Sequence, residues 1–426
     1  MLGNLARMFV LASIISGLCS PVLANTTADI AADNFASVTG IQSQRSSMDM
    51  MQLAQTDLAL PEAMSAPLDD PIVEPIEVPV ITTRLPPVRI GLLLPRRSES
   101  LAQVSDAVRA GFIAAYQHEP GNIVINFIET GDAAQDVLSG YTEAAANNDI
   151  VVGPLTRSGA TAIVQNHAVT KPTIALTQLN AAGEAEVKVP TNMLVMGLSI
   201  EDEARQVANW VGKNRARQKA FALSTNVAWQ RRAVSAFAAQ WSQLGMTAEV
   251  MELTMSGGFM NANALVQLKK RIQTEKPALI FVGLDAAQAI QLRLAIGGEV
   301  TMYGVSQLNP FALDDWANAD RLTDLEGVRL VDMPWQLQPD HAAVMAYPRL
   351  AKPSGQRSSP DVERLYALGI DAYRVAANIA IKQTDFSLDG VTGKLTVRFG
   401  RGAPYFDRVL QPATYREGMV QPLEAQ

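Results

Sequence analysis

Residues 88–116 read VRIGLLLPRRSESLAQVSDAVRAGFIAAY, and this stretch decides the fold. An apolar run at 88–94 breaks at Pro95, and a polar loop at 96–100 follows it. Beyond the loop, apolar and small side chains recur at the spacing of a helix with one buried face. They are Val104, Ala107, Val108, Gly111, Phe112 and Ala115. The stretch therefore predicts a buried strand, a loop and a helix.

The same alternation continues along the chain. Apolar runs typical of buried strands lie at 123–128, 149–152, 173–176, 220–223, 248–253, 278–282, 300–305 and 328–331. Segments with helical periodicity are clearest at 201–213, 227–244, 261–274, 285–296 and 360–381. Strands that alternate with helices predict an α/β fold, in which parallel sheets are covered by helices on both faces.

The length of this alternating region predicts two lobes. Residues 88–426 exceed what one hydrophobic core usually supports, so we expect two Rossmann-like lobes with an inter-lobe cleft. The first lobe is expected at about 88–200 and 336–385, and the second at about 201–335 and 386–426. In sheets of this kind, the loops at the carboxyl ends of the strands form the binding crevice.

Residues 1–24 have the features of a secretory signal peptide: a basic start, an apolar run at 8–18 and small residues before the cleavage point. We expect cleavage after Ala24 and export to the periplasm. Cys19 is the only cysteine, and Leu18 stands before it where a lipid-modification site needs a small residue. An outer-membrane lipoprotein anchored through Cys19 is therefore the less favoured alternative.

Residues 25–87 show neither helical nor strand periodicity. Prolines stand at 61, 67, 71, 75, 79, 86 and 87. A segment of this composition cannot bury enough apolar surface to offset its ordering entropy. It predicts a disordered, Pro-rich tether, with a dispensable tail as the equal alternative.

The charge of the chain narrows the classes of partner. The full sequence has 35 basic and 42 acidic residues, a net charge of −7, and loss of the signal peptide makes it −8. A mildly acidic protein argues against binding to nucleic acid or to anionic membrane surfaces. No later apolar run is long enough for a transmembrane segment.

The sequence contains no recognisable catalytic motif. The three histidines, His118, His167 and His341, are far apart and lack partners at metal-ligand spacing. The motifs of metalloproteases, serine hydrolases, phosphate-binding loops and dinucleotide-binding turns are all missing. We expect no enzymatic activity, no cofactor and no metal site.

Polar side chains follow several of the predicted strands, where the inter-lobe cleft is expected. They are Thr156, Ser158, Thr177 and Asn180 in the first half and Asn226, Asp285 and Ser306 in the second. Hydroxyl groups and helix-start N–H groups at 153–159 are suited to an anion such as a carboxylate. Ordinary helix capping by Thr156 or Ser158 is the alternative. Arg231 and Arg232 form a basic pair suited either to an acidic partner or to solvent.

Several segments, taken in order, resemble the penicillin-binding-protein activators, the LppC/LpoA family. They are GLLLP (91–95), AVRAGFIAAY (107–116), VVGPLTR (151–157), IALTQLN (174–180), DMPW (332–335), RLYALGIDAYRVA (364–376) and GVTGKLTV (390–397). The resemblance covers about 88–415. The segment at 364–373 is the more specific one, whereas 390–395 resembles type I periplasmic binding proteins in general.

The resemblance implies a type I periplasmic-binding-protein fold and a periplasmic protein that helps a bifunctional penicillin-binding protein by direct contact. The alternative is a solute-binding protein for an amino acid or similar small ligand, feeding an ABC transporter or receptor. In that case Thr156, Ser158, Thr177 and Asn180 stand where related proteins hold the charged ends of the ligand, and Asp285 is the best candidate for the acidic group. Arg96 and Arg97 would form a loop at the rim of the cleft.

Overall fold

The computed structural model describes residues 86–180, 188–213, 218–312, 320–351 and 359–424. The predicted signal peptide and almost all of the predicted tether lie outside these residues, so both stay predictions. The region from 85 to 426 forms one compact unit.

The described residues form strands and helices in the predicted alternation. The strands are β1 (Val88–Leu94), β2 (Ile123–Glu129), β3 (Ile150–Val152), β4 (Thr173–Ala175), β5 (Met193–Val195), β6 (Lys219–Ser224), β7 (Thr247–Glu252), β8 (Met255–Ser256), β9 (Phe259–Met260), β10 (Leu279–Gly283), β11 (Met302–Gly304), β12 (Arg329–Asp332), β13 (Asp385–Asp389), β14 (Lys394–Arg398), β15 (Tyr405–Val409), β16 (Gln411–Arg416) and β17 (Met419–Pro422). The helices are α1 (Ala102–His118), α2 (Ala134–Asn147), α3 (Arg157–Gln165), α4 (Ile200–Gly212), α5 (Ala228–Gln243), α6 (Ala262–Glu275), α7 (Ala286–Ile296), α8 (Pro334–Leu337), α9 (Ala342–Met345) and α10 (Pro360–Ala380).

Two large sheets organise the fold. The first has the strand order β2-β1-β3-β4-β5, and all of its strands are parallel. The second has the order β17-β16-β12-β11-β10-β6-β7, parallel from β12 to β7 and antiparallel at β16 and β17. The prediction of an α/β fold with parallel sheets is confirmed. We call the first sheet with α1, α2, α3 and α10 the first layer, and the second sheet with α4 to α7 the second layer.

Two glycines fix the last long helix in the first layer. A Cβ atom on Gly111 of α1 would lie 1.9 Å from the carbonyl oxygen of Tyr366, and one on Gly369 of α10 would lie 2.1 Å from that of Val108. Only glycine permits this approach of the two backbones. The chain therefore returns to the first layer through α10 after it has built most of the second.

A small antiparallel sheet of β13, β14 and β15 stands apart from both large sheets. The sequence assigned 386–426 to the second lobe. In the structure, β16 and β17 are hydrogen-bonded into the second sheet, whereas Leu395 and Val397 of β14 pack in the same core cluster as α10, and β15 contacts β5. The lobe boundaries as a whole stay a prediction.

Among the described residues, no helix is both long and apolar enough to cross a bilayer.

Candidate functional site

The predicted cleft residues lie in loops at the carboxyl ends of parallel strands. The loops after β3 and β4 hold Thr156, Thr177 and Asn180, and Ser158 lies in the first turn of α3. The segments after β6, β10 and β11 hold Asn226, Asp285 and Ser306. This is where α/β sheets bind ligands. The structure contains no ligand that would test their role, so their assignment as a ligand site stays a prediction.

Two of these side chains are helix caps. The Thr156 hydroxyl accepts a hydrogen bond from the backbone N–H of Gly159 at 3.3 Å, at the start of α3. The Asp285 carboxylate accepts from the N–H of Gln288 at 2.8 Å, and the Gln288 side chain accepts from the N–H of Asp285, which completes a capping box on α7. Each cap satisfies an N–H group that has no partner inside its helix. Thr156 therefore acts as the cap that the alternative allowed for Thr156 or Ser158, and Asp285 is a further cap that the sequence did not single out.

The remaining candidates differ in exposure. Ser158, Asn180 and Asn226 are exposed, and the backbone N–H of Asn180 donates to the Thr161 hydroxyl at 2.9 Å. Thr177 is buried against the backbone of the next strand segment, because a Cβ atom on Gly197 would lie 2.5 Å from its Cα atom. Ser158, Asn180 and Asn226 are therefore open to solvent, whereas Thr177 is not.

Ser306 lies in a buried polar cluster. Its backbone N–H donates to the Glu203 carboxylate of α4 at 2.9 Å, and its carbonyl accepts from Arg364 of α10 at 3.0 Å. Desolvation raises the pKa of Glu203 to about 7, against the opposing effect of the hydrogen bond from Ser306. The repulsion of Asp332 adds to the rise. Ser306 thus connects elements of both layers through its backbone.

Arg364 is the centre of this cluster. Its Nε and Nη2 atoms donate to the two carboxylate oxygens of Asp332 at 3.2 and 2.8 Å. Nη2 also donates to the carbonyl oxygens of Ser306 and Asn309, and Nη1 donates to Asp361 at 2.9 Å. Arg364 is the fifth residue of α10, and Asp332 ends β12 of the second sheet, so the pair ties one layer to the other.

Asp371, about two turns after Arg364 on α10, joins this helix to the loop between β13 and β14. Its carboxylate accepts from the backbone N–H groups of Val391 and Thr392 at 3.2 and 2.8 Å and from the Thr392 hydroxyl at 2.7 Å. Arg408 donates from Nε to the Thr392 hydroxyl oxygen. Its Nη2 and Nη1 atoms donate to the carbonyl oxygens of Met196 and Gly197, which follow β5. The motif 364–376 and the motif 390–397 are therefore joined to each other through hydrogen bonds.

Sequence reasoning missed four of these residues: Glu203, Asp332, Asp371 and Arg408. Asp332 and Asp371 are fully buried acids. An acid at the end of an apolar strand, as Asp332 is, was the available signal. The contacts that explain the others join residues far apart in the sequence, which spacing does not show.

The two arginines at the start of the first loop do not line a ligand site together. Arg96 donates to Asp106 at 2.7 Å and to Glu129, so two acids neutralise it. Arg97 is exposed. The expected basic rim is therefore weaker than the sequence predicted.

Two tryptophans, Trp241 and Trp335, are held in the core and expose no ring for a binding surface. Trp335 is fully buried, its Nε1 atom donates to Glu363 at 2.9 Å, and the Arg349 guanidinium lies 4.0 Å from its ring centre. Trp241 is also fully buried, stacked on Phe237. Both residues pack in the core.

In the parts of the chain that the structure describes, no group of three or more His, Cys, Asp or Glu residues is arranged to hold a metal ion.

Two α/β layers tied at a junction, with loops facing it from the strand ends, define a protein of the type I periplasmic-binding-protein class. Two solved structures support this. One is a Chromobacterium violaceum protein assigned as a branched-chain amino acid ABC transporter, with a TM-score of 0.59 and 32% identity over 77% of this chain and 99% of that one. The other is the LpoA C-domain of Haemophilus influenzae, described as a regulator of PBP1A, with a TM-score of 0.62 and 20% identity over 79% of this chain and 99% of that one.

Sequence comparison places the chain within this class. The family model described as "LppC putative lipoprotein" matches residues 80–418, and the chain belongs to that family. A curated relative is the penicillin-binding protein activator LpoA of Pasteurella multocida, 26% identical over 311 residues, which are 72% of this chain and 50% of the relative. The chain spans about half the length of the curated relatives it matches.

Proposed function

We propose that this chain is a non-enzymatic periplasmic protein that activates a bifunctional penicillin-binding protein by direct contact. The observation that carries the proposal is the family match over 80–418, together with curated relatives named as penicillin-binding protein activators. The fold supplies surfaces for such contact, and no side-chain constellation described above calls for chemistry of its own.

The cleft supports a scaffold more than a receptor. A binding protein for a small ligand needs polar groups that are free to meet that ligand. Here the oxygen atoms of Thr156 and Asp285 are engaged as helix caps. The polar groups at the layer junction are bonded to each other, with Arg364 making five hydrogen bonds. We infer that the junction holds the layers together.

The location is part of the same proposal. Cleavage after Ala24 would release the protein into the periplasm, where it would reach a membrane-bound synthase by diffusion. Lipidation at Cys19 is the less favoured alternative. Mass spectrometry of the mature protein separates the two, because cleavage after Ala24 removes Cys19, whereas lipidation adds the mass of acyl chains to a chain that begins there.

Binding to a purified bifunctional penicillin-binding protein from the same cell tests the contact. We expect saturable binding of the mature protein in a surface-based assay. The binding should persist after the protein has been unfolded and refolded to remove any bound small molecule. Absence of binding to every bifunctional synthase of that cell would reject the proposal.

A second candidate function is the binding of an amino acid or similar small ligand for an ABC transporter or receptor. The 32% identity to the Chromobacterium violaceum structure favours it. The ligand would then contact Thr156, Ser158, Thr177, Asn180, Asn226, Asp285 and Ser306. Calorimetry with a panel of amino acids, on refolded protein, is the test. Micromolar binding would support this function, and no heat across the panel would reject it.

A further inference from the structure

Two arginines, one from each layer, lie against the same carboxylate at the layer junction. Glu201 Oε1 is 2.8 Å from Nε of Arg232 and 3.6 Å from Nη2 of Arg157. Arg157 begins α3 of the first layer, Arg232 lies on α5 of the second, and Arg231 precedes it. We call Arg157, Arg231 and Arg232 the arginine cluster. Its shared carboxylate, on α4, therefore bridges the two layers.

The arginine cluster has many more hydrogen-bond donors than partners. A guanidinium carries five N–H donors. Among the described residues, the three side chains of the cluster make one hydrogen bond, from Arg232 to Glu201. Arg231 has only an ion pair with Glu252 at 3.8 Å, and its side chain is 56% exposed. By contrast, Arg364 makes five hydrogen bonds. The cluster can thus donate hydrogen bonds to further acceptors without losing the bond it already makes.

A depression of about 570 Å³ opens beside the arginine cluster, between α4 and α5. Its lining residues are Glu201, Ala228, Arg231, Arg232, Ser235 and Ala236. The three uncharged lining residues, Ala228, Ser235 and Ala236, have small side chains, which leaves room for an incoming side chain. The planar fork of arginine matches the two oxygens of a carboxylate.

The local charge also favours an acidic ligand. Among the described residues, the three positive charges of the arginine cluster form ion pairs with two acids, Glu201 and Glu252. The neighbouring Asp202 is occupied by Arg205 of the same helix. Glu201 itself demonstrates that the cluster binds a carboxylate.

We propose that the arginine cluster and the depression between α4 and α5 form a docking site for an acidic segment of a partner protein, whose carboxylates bind Arg231 and Arg232. That the partner is a penicillin-binding protein rests on the proposed function. Because Glu201 is shared with Arg157 of the first layer, a docked carboxylate competes with Glu201 at the contact that joins the layers. Docking is thereby coupled to the arrangement of the layers.

A hexaglutamate peptide tests the site without any assumption about the partner. We expect the full mature protein to bind it in calorimetry at low ionic strength, and the double variant R231E/R232E to bind on the order of tenfold more weakly. The matched control is K269E/K270E, which reverses an adjacent, exposed pair on α6 of the same layer. It should change the affinity by less than about twofold. Equal losses in the two double variants, or no binding by the unaltered protein, would overturn the proposal.

The variant Glu201→Gln gives a result that a structural role alone would not. It removes the competing negative charge and leaves the arginines in place, so peptide binding should become tighter. Weaker binding in this variant, with an unchanged melting temperature, would overturn the proposal.

The same variants separate this proposal from the proposed function. If the unaltered protein binds no synthase but binds hexaglutamate through Arg231 and Arg232, the docking site stands and the synthase is rejected as the partner. If the protein binds a synthase and R231E/R232E binds it equally well, the docking site is rejected and the proposed function stands.

Discussion

Arg364 grips both oxygens of the Asp332 carboxylate, through Nε at 3.2 Å and Nη2 at 2.8 Å, and both side chains are buried. Arg364 lies near the start of α10, the helix that returns to the first layer, and Asp332 ends a strand of the second sheet. This ion pair therefore joins the two layers at their junction.

The variant Arg364→Met should lower the free energy of unfolding by about 3–5 kcal/mol, since it leaves the Asp332 carboxylate buried without its partner. Urea denaturation measures this change. The control Arg205→Met removes an arginine that is 45% exposed and should cost less than about 1 kcal/mol. Similar losses in the two variants would contradict the role assigned to Arg364.

The variant Gly369→Ala should destabilise the protein by about 1–3 kcal/mol or more, because the new methyl group would overlap the Val108 carbonyl oxygen in the contact of α1 with α10. Gly298→Ala is the matched control. There the new methyl group meets only the Arg293 guanidinium, which is the end of a flexible side chain. A thermal unfolding temperature equal to that of the unaltered protein for Gly369→Ala would show that the helices can move apart.

Glu203 predicts a pH dependence of stability. Its pKa rises from 4.5 to about 7 on folding, so the folded protein holds this proton more tightly than the unfolded chain does. The stability that Glu203 contributes is therefore complete below about pH 4.5 and is lost as the pH rises through 7. The variant Glu203→Gln removes this loss and should gain on the unaltered protein across that window, by up to about 3 kcal/mol.

Urea denaturation between pH 4.5 and 8 measures the difference between Glu203→Gln and the unaltered protein. The variant Ser242→Ala, which changes an exposed residue without removing a titrating group, is the control, and its difference from the unaltered protein should not change with pH. A difference for Glu203→Gln that does not grow with pH would show that the carboxyl titrates normally.

The variant Asp285→Ala tests the function of the cleft. Loss of the capping box should cost about 1 kcal/mol of stability. Under the proposed function, synthase binding at a temperature well below unfolding should be unchanged. Calorimetry and the synthase assay on one preparation check both statements. Loss of synthase binding, or loss of an amino-acid affinity found in the unaltered protein, would assign Asp285 to a binding site.

The elements with long apolar runs were predictable. The strand at 88–94 and the helices at 201–213 and 360–381 agree with β1, α4 and α10 to within a residue or so at each end. Burial on one face or on both sets the period of these segments, and the period is visible in the sequence. The short β5 and the strands β13 to β17 were not predicted. β5 has only three residues. β13 alternates polar with apolar residues and β15 has Asp407 and Arg408 side by side, so neither strand is a continuous apolar run.

The candidate site was predictable only as a set of loops. Spacing placed Thr156 and Asp285 at strand ends correctly, but it did not distinguish a cap from a ligand contact, because the same oxygen serves either purpose. The bonds of Arg364 to Asp332, and of Asp371 to Thr392, join residues that only the tertiary fold brings together. The motif at 364–376 was recognised by resemblance, and its contacts give the physical reason for Arg364, Gly369 and Asp371.

Activation of a bifunctional penicillin-binding protein is measured most directly by the rate at which that synthase polymerises glycan. The purified synthase is assayed on its lipid-linked disaccharide substrate, alone and with increasing amounts of the mature protein. We predict a saturable rise in the rate, several-fold at saturation, that is reduced by R231E/R232E and not by K269E/K270E. A rate that stays unchanged at saturating protein, for every bifunctional synthase of the cell, would contradict the account.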